Sequence, residues 1–158
     1  LVRFPKGACP PDLPALAHLP AGEVLAGDPG APVDILLVSI GALAGRAVDA
    51  AQDLAGTHPD LNILVLDPVQ SLPLGEDLLD LAGTARAVVT LEDGLCESGI
   101  GAMLGTRLAA RGSLGAPGPV LRALGIRTEF IAHGKRDAIL AAQGLDAAGI
   151  AKSLRDLL

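Results

Sequence analysis

The sequence predicts an α/β fold: three layers, with a mostly parallel sheet carrying helices on both faces. Three observations predict it. Short apolar runs recur at residues 33–40, 61–66, 85–91 and 120–124, with helical-period segments between them. These runs are almost continuously apolar, the pattern of strands covered on both sides. The order strand, helix, strand, helix, strand, helix, strand calls for crossover connections, which place helices on the sheet faces.

Each element has its own local reason. Residues 1–32 are rich in Pro, Gly and Ala, and Pro5, Pro10, Pro11, Pro14 and Pro20 rule out a long helix. This segment reads as an interdomain linker leading into an edge element, with a short edge strand at 22–26 and a turn at 28–32. The α/β domain then spans 33–158. Residues 33–40 form the first strand, and Gly41 permits a sharp exit. Leu43, Ala47, Ala50, Ala51 and Leu54 recur at helical spacing, giving a helix over 42–55 that Gly56 ends. The second strand is 61–66, followed by an irregular loop through Pro73 and a helix over 76–82 closed by Gly83. The third strand, 85–91, leads into a helix opened by Glu97 or Ser98 and running to Ala110. Arg107 and Arg111 sit near its C-terminus, where the helix dipole favours positive charge. A loop at 112–118, a strand at 120–124 and a connection at 125–131 follow. Helices at 136–142 and 146–157 end the chain, separated by Gly144.

Composition narrows function. Half of the 158 residues are hydrophobic, which excludes global disorder. With two Phe and no Trp or Tyr, the core is aliphatic and there is no stacking platform for single-stranded nucleic acid. A net charge of −6 without a basic stripe excludes phosphate-backbone binding. The longest apolar runs are strand-sized, not bilayer-sized, so no membrane segment is expected. The start has neither an initiator Met nor a signal-peptide apolar region, and reads as a chain cut from a longer protein. Cys9 and Cys96 form no disulfide framework and fit a reducing, cytoplasmic compartment.

The most site-like stretch is 87–105: a strand, an acidic turn at Glu92-Asp93-Gly94, then a helix start with Gly99, Gly101 and Gly105. The glycines approach a dinucleotide fingerprint, in which backbone N–H groups at a helix start cradle a pyrophosphate. Glu92, Asp93 and Glu97 stand at that entrance and repel an anion. The motif also follows the third strand rather than the first. Tight helix–sheet packing with an acidic N-terminal cap is therefore the expected reading. Cys96 on a strand-to-helix turn, with His133 as base and Asp93 or Asp137 as its orienter, would make a nucleophile elbow of a hydrolase or amidotransferase. Nearby glutamates disfavour that thiolate, and Ser98 reads as a helix cap rather than a nucleophile. Glu92 and Asp93 are adjacent, which does not supply the separation that paired acid–base carboxylates need; they are expected to bond backbone amides or reach another domain. His18, His58 and His133 are not spaced as a metal set. His133 is expected to bond its loop backbone and help start the helix at Arg136. Arg122 and Arg127 read as surface residues able to touch a phosphate, and Arg46 as facing solvent or a neighbouring domain.

Several short motifs, in order, carry a family resemblance. Arg3-Phe-Pro-Lys-Gly7, Asp34-Ile-Leu-Leu-Val-Ser-Ile-Gly41, Val65-Leu-Asp67 with Pro73-Leu74, and Val88-Val-Thr-Leu-Glu92-Asp93-Gly94 with Gly99 and Gly101 belong to it. So do Pro119-Val-Leu, Phe130-Ile-Ala-His133-Gly134 and Gly144-Leu-Asp146-Ala-Ala-Gly-Ile150. Together they make almost the whole chain resemble the C-terminal domain of the 1-deoxy-D-xylulose-5-phosphate synthases, of the transketolase superfamily. Departures from the family pattern are Val69-Gln70-Ser71-Leu72, where an Arg and a Lys are usual, Gly75 where an acid is usual, and Cys96-Glu97-Ser98 in a segment usually richer in glycine. The resemblance implies a non-catalytic domain that packs on preceding domains and supports a homodimer. It implies that thiamine diphosphate and Mg belong to those preceding domains of the full-length transferase, in isoprenoid and thiamine biosynthesis. No catalytic, cofactor-binding or metal-binding residue is assigned to this chain. The C-terminal domain of a pyruvate dehydrogenase β subunit is the alternative within the same superfamily.

Overall fold

A computed structural model describes residues 10–158. The expected Arg3–Gly7 motif and Cys9 lie outside the described residues. In chain order the elements are β1 (Ala17–Leu19), β2 (Gly22–Ala26), β3 (Ile35–Ile40), α1 (Ala44–Thr57), β4 (Ile63–Asp67) and α2 (Glu76–Thr84). Then come β5 (Ala87–Leu95), α3 (Ile100–Ala110), β6 (Val120–Ile126), α4 (Arg136–Ala142) and α5 (Ala147–Arg155). No helix of the described residues is long and apolar enough to cross a membrane.

The strands form one six-stranded sheet in the order β1-β2-β4-β3-β5-β6. The pairs β4–β3, β3–β5 and β5–β6 are parallel; β1–β2 and β2–β4 are antiparallel. The predicted α/β class, with a mostly parallel sheet and helices on both faces, is therefore the observed one. Alternation along β3 shows the layering. Ile35 and Leu37 pack on one side with Ala47, Ala50, Leu54, Leu140, Ile150 and Leu154 of α1, α4 and α5. Leu36 and Val38 pack on the other with Leu78, Leu79, Leu104 and Leu108 of α2 and α3. A strand buried on both faces cannot alternate with polar residues, which is why its sequence reads as a continuous apolar run. Across the second helical layer, Arg107 of α3 and Arg111 just past its end both pair with Glu76 of α2, and Arg111 also reaches Asp80 at 2.7 Å.

Several elements differ from expectation in their bounds or their place in the sheet. The 22–26 strand is one place in from the edge, because a three-residue β1 turns back on it as a hairpin. The helices α1 and α2 run through Gly56 and Gly83, which lie within their last turns. The β6 strand continues through Gly125 to Ile126. Finally, β5 does not stop at Leu91: Glu92, Asp93 and Gly94 belong to it, not to a turn. Leu91 pairs with Leu124 and Leu95 with Ile126, so β5 bulges by two residues there. A side chain at Gly125 would stand 2.8 Å from the Gly94 carbonyl, so only a bare backbone lets the bulge close.

Candidate functional site

The C-terminal ends of β5 and β6 and the start of α3 enclose an open cleft of about 450 Å³. Glu92, Asp93, Gly94, Leu95, Ser98, Gly99 and Ile126 line it. This is the corner the sequence singles out, and its chemistry follows from the residue at its back. Glu92 is buried, 7% exposed, and turned toward the helix. Its carboxylate accepts the Ile100 N–H at 3.1 Å and the Gly101 N–H at 2.9 Å. Those are two of the amides that a helix start leaves unmet, and a carboxylate there is favoured by the helix dipole. The α3 N-terminus is thus capped from the neighbouring strand. Ser98 is not the cap: Gly99 holds that position without a side chain, and the helix opens at Ile100 rather than at Glu97 or Ser98. A cap supplied from β5 removes the need for one in the preceding turn.

The three glycines of the motif are explained by closeness to the sheet. A Cβ at Gly99 would fall inside the Glu92 carboxylate. One at Gly101 would overlap Thr90 Oγ1 and stand 2.9 Å from Ala123 Cβ, and one at Gly105 would be 2.6 Å from Leu121 Cδ2. The spacing that mimics a dinucleotide fingerprint is a stripe where α3 lies directly on β5 and β6. The amides that would hold a pyrophosphate already hold Glu92. The Thr90 hydroxyl beneath Gly101 is buried and makes no hydrogen bond.

The nucleophile-elbow set does not assemble as a reactive thiol. Cys96 is half-buried. Burial first, then its hydrogen bond to Glu97 and the charge of that carboxylate, push its pKa upward, away from a thiolate. Glu97 itself is held below the usual carboxylate range, chiefly by the hydrogen bond that Thr128 Oγ1 donates to it at 2.5 Å and then by Cys96. His133 lies exposed in the irregular segment before α4. It does not cap that helix, whose N-cap is Lys135 with no side-chain bond. The candidate orienters both carry arginines: Asp93 is bridged by Arg136 at 2.7 Å and Asp137 by Arg46 at 2.6 Å.

The remaining polar residues have structural partners. Arg46 faces α4 rather than open solvent, and also donates to the Leu145 carbonyl at 3.3 Å. Arg122 donates to the Ser153 carbonyl at 2.7 Å, and Arg127 to Gln143 Oε1 at 3.3 Å, so neither is a free phosphate ligand. His18 stands 3.6 Å from Glu23, and His58 shares a 2.9 Å hydrogen bond with Thr57. Among the described residues, no three His, Cys, Asp or Glu side chains gather into a metal-binding group. Sequence reasoning missed the two arginine bridges onto α4. Their partners are 91 and 43 residues apart, and no local spacing signals them.

The family model described as "Transketolase, C-terminal domain" matches residues 31–150. The chain is 40% identical over 151 residues to 1-deoxy-D-xylulose-5-phosphate synthase 1 of Kitasatospora griseola, covering 96% of this chain and 22% of that protein. It is 37% identical over 159 residues to the 1-deoxy-D-xylulose-5-phosphate synthase of Kocuria rhizophila, covering 96% and 23%. The chain thus spans less than a quarter of the length of these relatives. Among solved structures, a split-gene transketolase described as an inactive beta4 tetramer superposes with a TM-score of 0.70 at 25% identity, covering 94% of this chain and 45% of that one. A Pichia stipitis transketolase, at 17% identity, TM-score 0.55 and coverage of 87% and 18%, shares the fold.

Proposed function

This chain belongs to the transketolase C-terminal domain family, and on that premise we propose that it is the non-catalytic C-terminal domain of a thiamine-diphosphate-dependent 1-deoxy-D-xylulose-5-phosphate synthase. Its role is to pack on the preceding domains and support a homodimer. The full-length protein would join pyruvate, after decarboxylation, to glyceraldehyde 3-phosphate. The similarity of almost the whole chain to such synthases supports the enzyme class. The description of a related transketolase chain as a beta4 tetramer supports self-association as part of the role.

The observation that carries the reading is the Glu92 cap. Thiamine diphosphate needs donors for a diphosphate and oxygen ligands for its metal. At this corner the helix amides at Ile100 and Gly101 are committed to Glu92, and Asp93 beside it is bridged by Arg136. These residues do not fit the cofactor. The domain supplies a packing surface, and the chemistry of the cofactor belongs to the domains that bind it. Titration calorimetry tests this. The isolated chain, with Mg and thiamine diphosphate, should release no binding heat. Tight binding by this chain alone would move the cofactor site into it and overturn the proposal.

A further inference from the structure

We propose that residues 127–144, with α4 at their centre, form a latched strap that lifts from the sheet as one unit while the rest stays folded, and that Arg46 is the latch. This goes beyond the family reading and stands or falls independently of it.

The strap is held chiefly by polar contacts, with one side chain in the core. Of the seven residues of α4 only Leu140 is buried, whereas α5 on the same face buries Ile150, Ala151 and Leu154. Two turns of helix have no stability of their own in water. What remains are bonds from fixed elements. Arg46 stands in the first turn of α1, which is anchored by Ala47, Ala50 and Leu54. One of its guanidinium nitrogens bonds Asp137 at the start of α4 and another the Leu145 carbonyl just past its end. Arg46 is thus seated on the fixed Leu145 carbonyl while it reaches Asp137 at the start of the helix. Arg136 adds a bond to Asp93 on β5, and Thr128 one to Glu97.

The surroundings let the strap move as a unit. Every residue from Arg127 to Ala138 is exposed. At the other end Gly144 sits at φ +73°, a backbone state that glycine enters without strain, while Leu145 beyond it is buried with the α5 layer. The hinge falls between the exposed strap and the fixed helix. Asp137 is 85% exposed, so its bond to Arg46 is open to screening by salt. Lifting the strap breaks the Arg136–Asp93 bridge at the wall of the cleft and withdraws Leu140 from its layer. The latch therefore governs the Asp93 wall of that cleft.

Hydrogen–deuterium exchange of the chain, resolved by peptide or by NMR, tests this at low salt and in 1 M NaCl. Wild-type amides of 139–143 should exchange at least about tenfold faster than those of α1 and α5, as expected of a sub-globally opening unit. They should speed up by about two- to fivefold in high salt, the range of one or two exposed ion pairs. Arg46→Ala should accelerate them by a similar factor at low salt and remove most of the salt response, with β3 and β5 unchanged. Asp137→Asn, which leaves α1 untouched, should reproduce the local acceleration. Strap amides as protected as those of α1 would overturn the proposal. So would Arg46→Ala accelerating α1, α5 and β3 equally, or Asp137→Asn changing nothing.

Discussion

Two alanine substitutions at the same helix position separate packing from propensity. Gly45 and Gly101 are each the second residue of their helices, α1 and α3. Alanine is the better helix former by about 1 kcal/mol, and this gain applies to both. A Cβ at Gly45 meets nothing within 4 Å, whereas one at Gly101 overlaps Thr90 Oγ1 and stands 2.9 Å from Ala123 Cβ. Carbon atoms rest about 3.5–4.0 Å apart, so α3 would have to shift by more than half an ångström off a closely packed sheet. Overpacking of that kind costs about 1–3 kcal/mol. Gly45→Ala should therefore stabilise the chain by up to about 1 kcal/mol. Gly101→Ala should be less stable than Gly45→Ala by about 1–3 kcal/mol, several degrees in Tm for a domain of this size. Urea denaturation followed by circular dichroism, with thermal melts alongside, measures both. Gly101→Ala equal to or more stable than Gly45→Ala would refute the claim that the glycine motif exists for packing.

Three further outcomes are expected. Glu92→Gln keeps the shape but not the charge at the α3 cap, and should lower stability to urea by about 1–2 kcal/mol; an unchanged midpoint would remove the cap from the account. Iodoacetamide labelling of Cys96, mapped by mass spectrometry, should rise only at a pH above that of an ordinary thiol, because its pKa is raised. Glu97→Gln should lower that pH and His133→Ala should leave it alone; a fast thiol at neutral pH, lost with His133, would restore the nucleophile. Asp146 accepts the Gly149 N–H at 3.0 Å as the α5 cap, so Asp146→Ala should cost about 1 kcal/mol in the same denaturation experiment.

How far the sequence could be read depended on the range of the interaction. The class and the two helical layers follow from apolar runs that must be covered on both faces, as β3 shows. An acidic cap on this helix was also readable, though not which carboxylate supplies it. What escaped was set by contacts between distant segments. The β5 bulge depends on Gly125, 31 residues after Gly94 and in another strand. The cap on α3 comes from β5, so the Ser98 that looks like a local cap has no such duty. Arg46 looked like a surface residue because its partner Asp137 lies 91 residues on. The hairpin strand β1 is three residues long among prolines, too short for any period to register.

The two-sided burial of β3 has an experimental use. Neighbouring residues of this one strand belong to different halves of the molecule: Leu37 reports on the docking of α1 and α5, Leu36 and Val38 on that of α2 and α3. Conservative truncations walked along four consecutive positions, compared through their folding and unfolding rates, would tell which half assembles first in the transition state. Only a strand covered on both faces offers such a pair of clocks on a single backbone; a solvent-facing sheet could not.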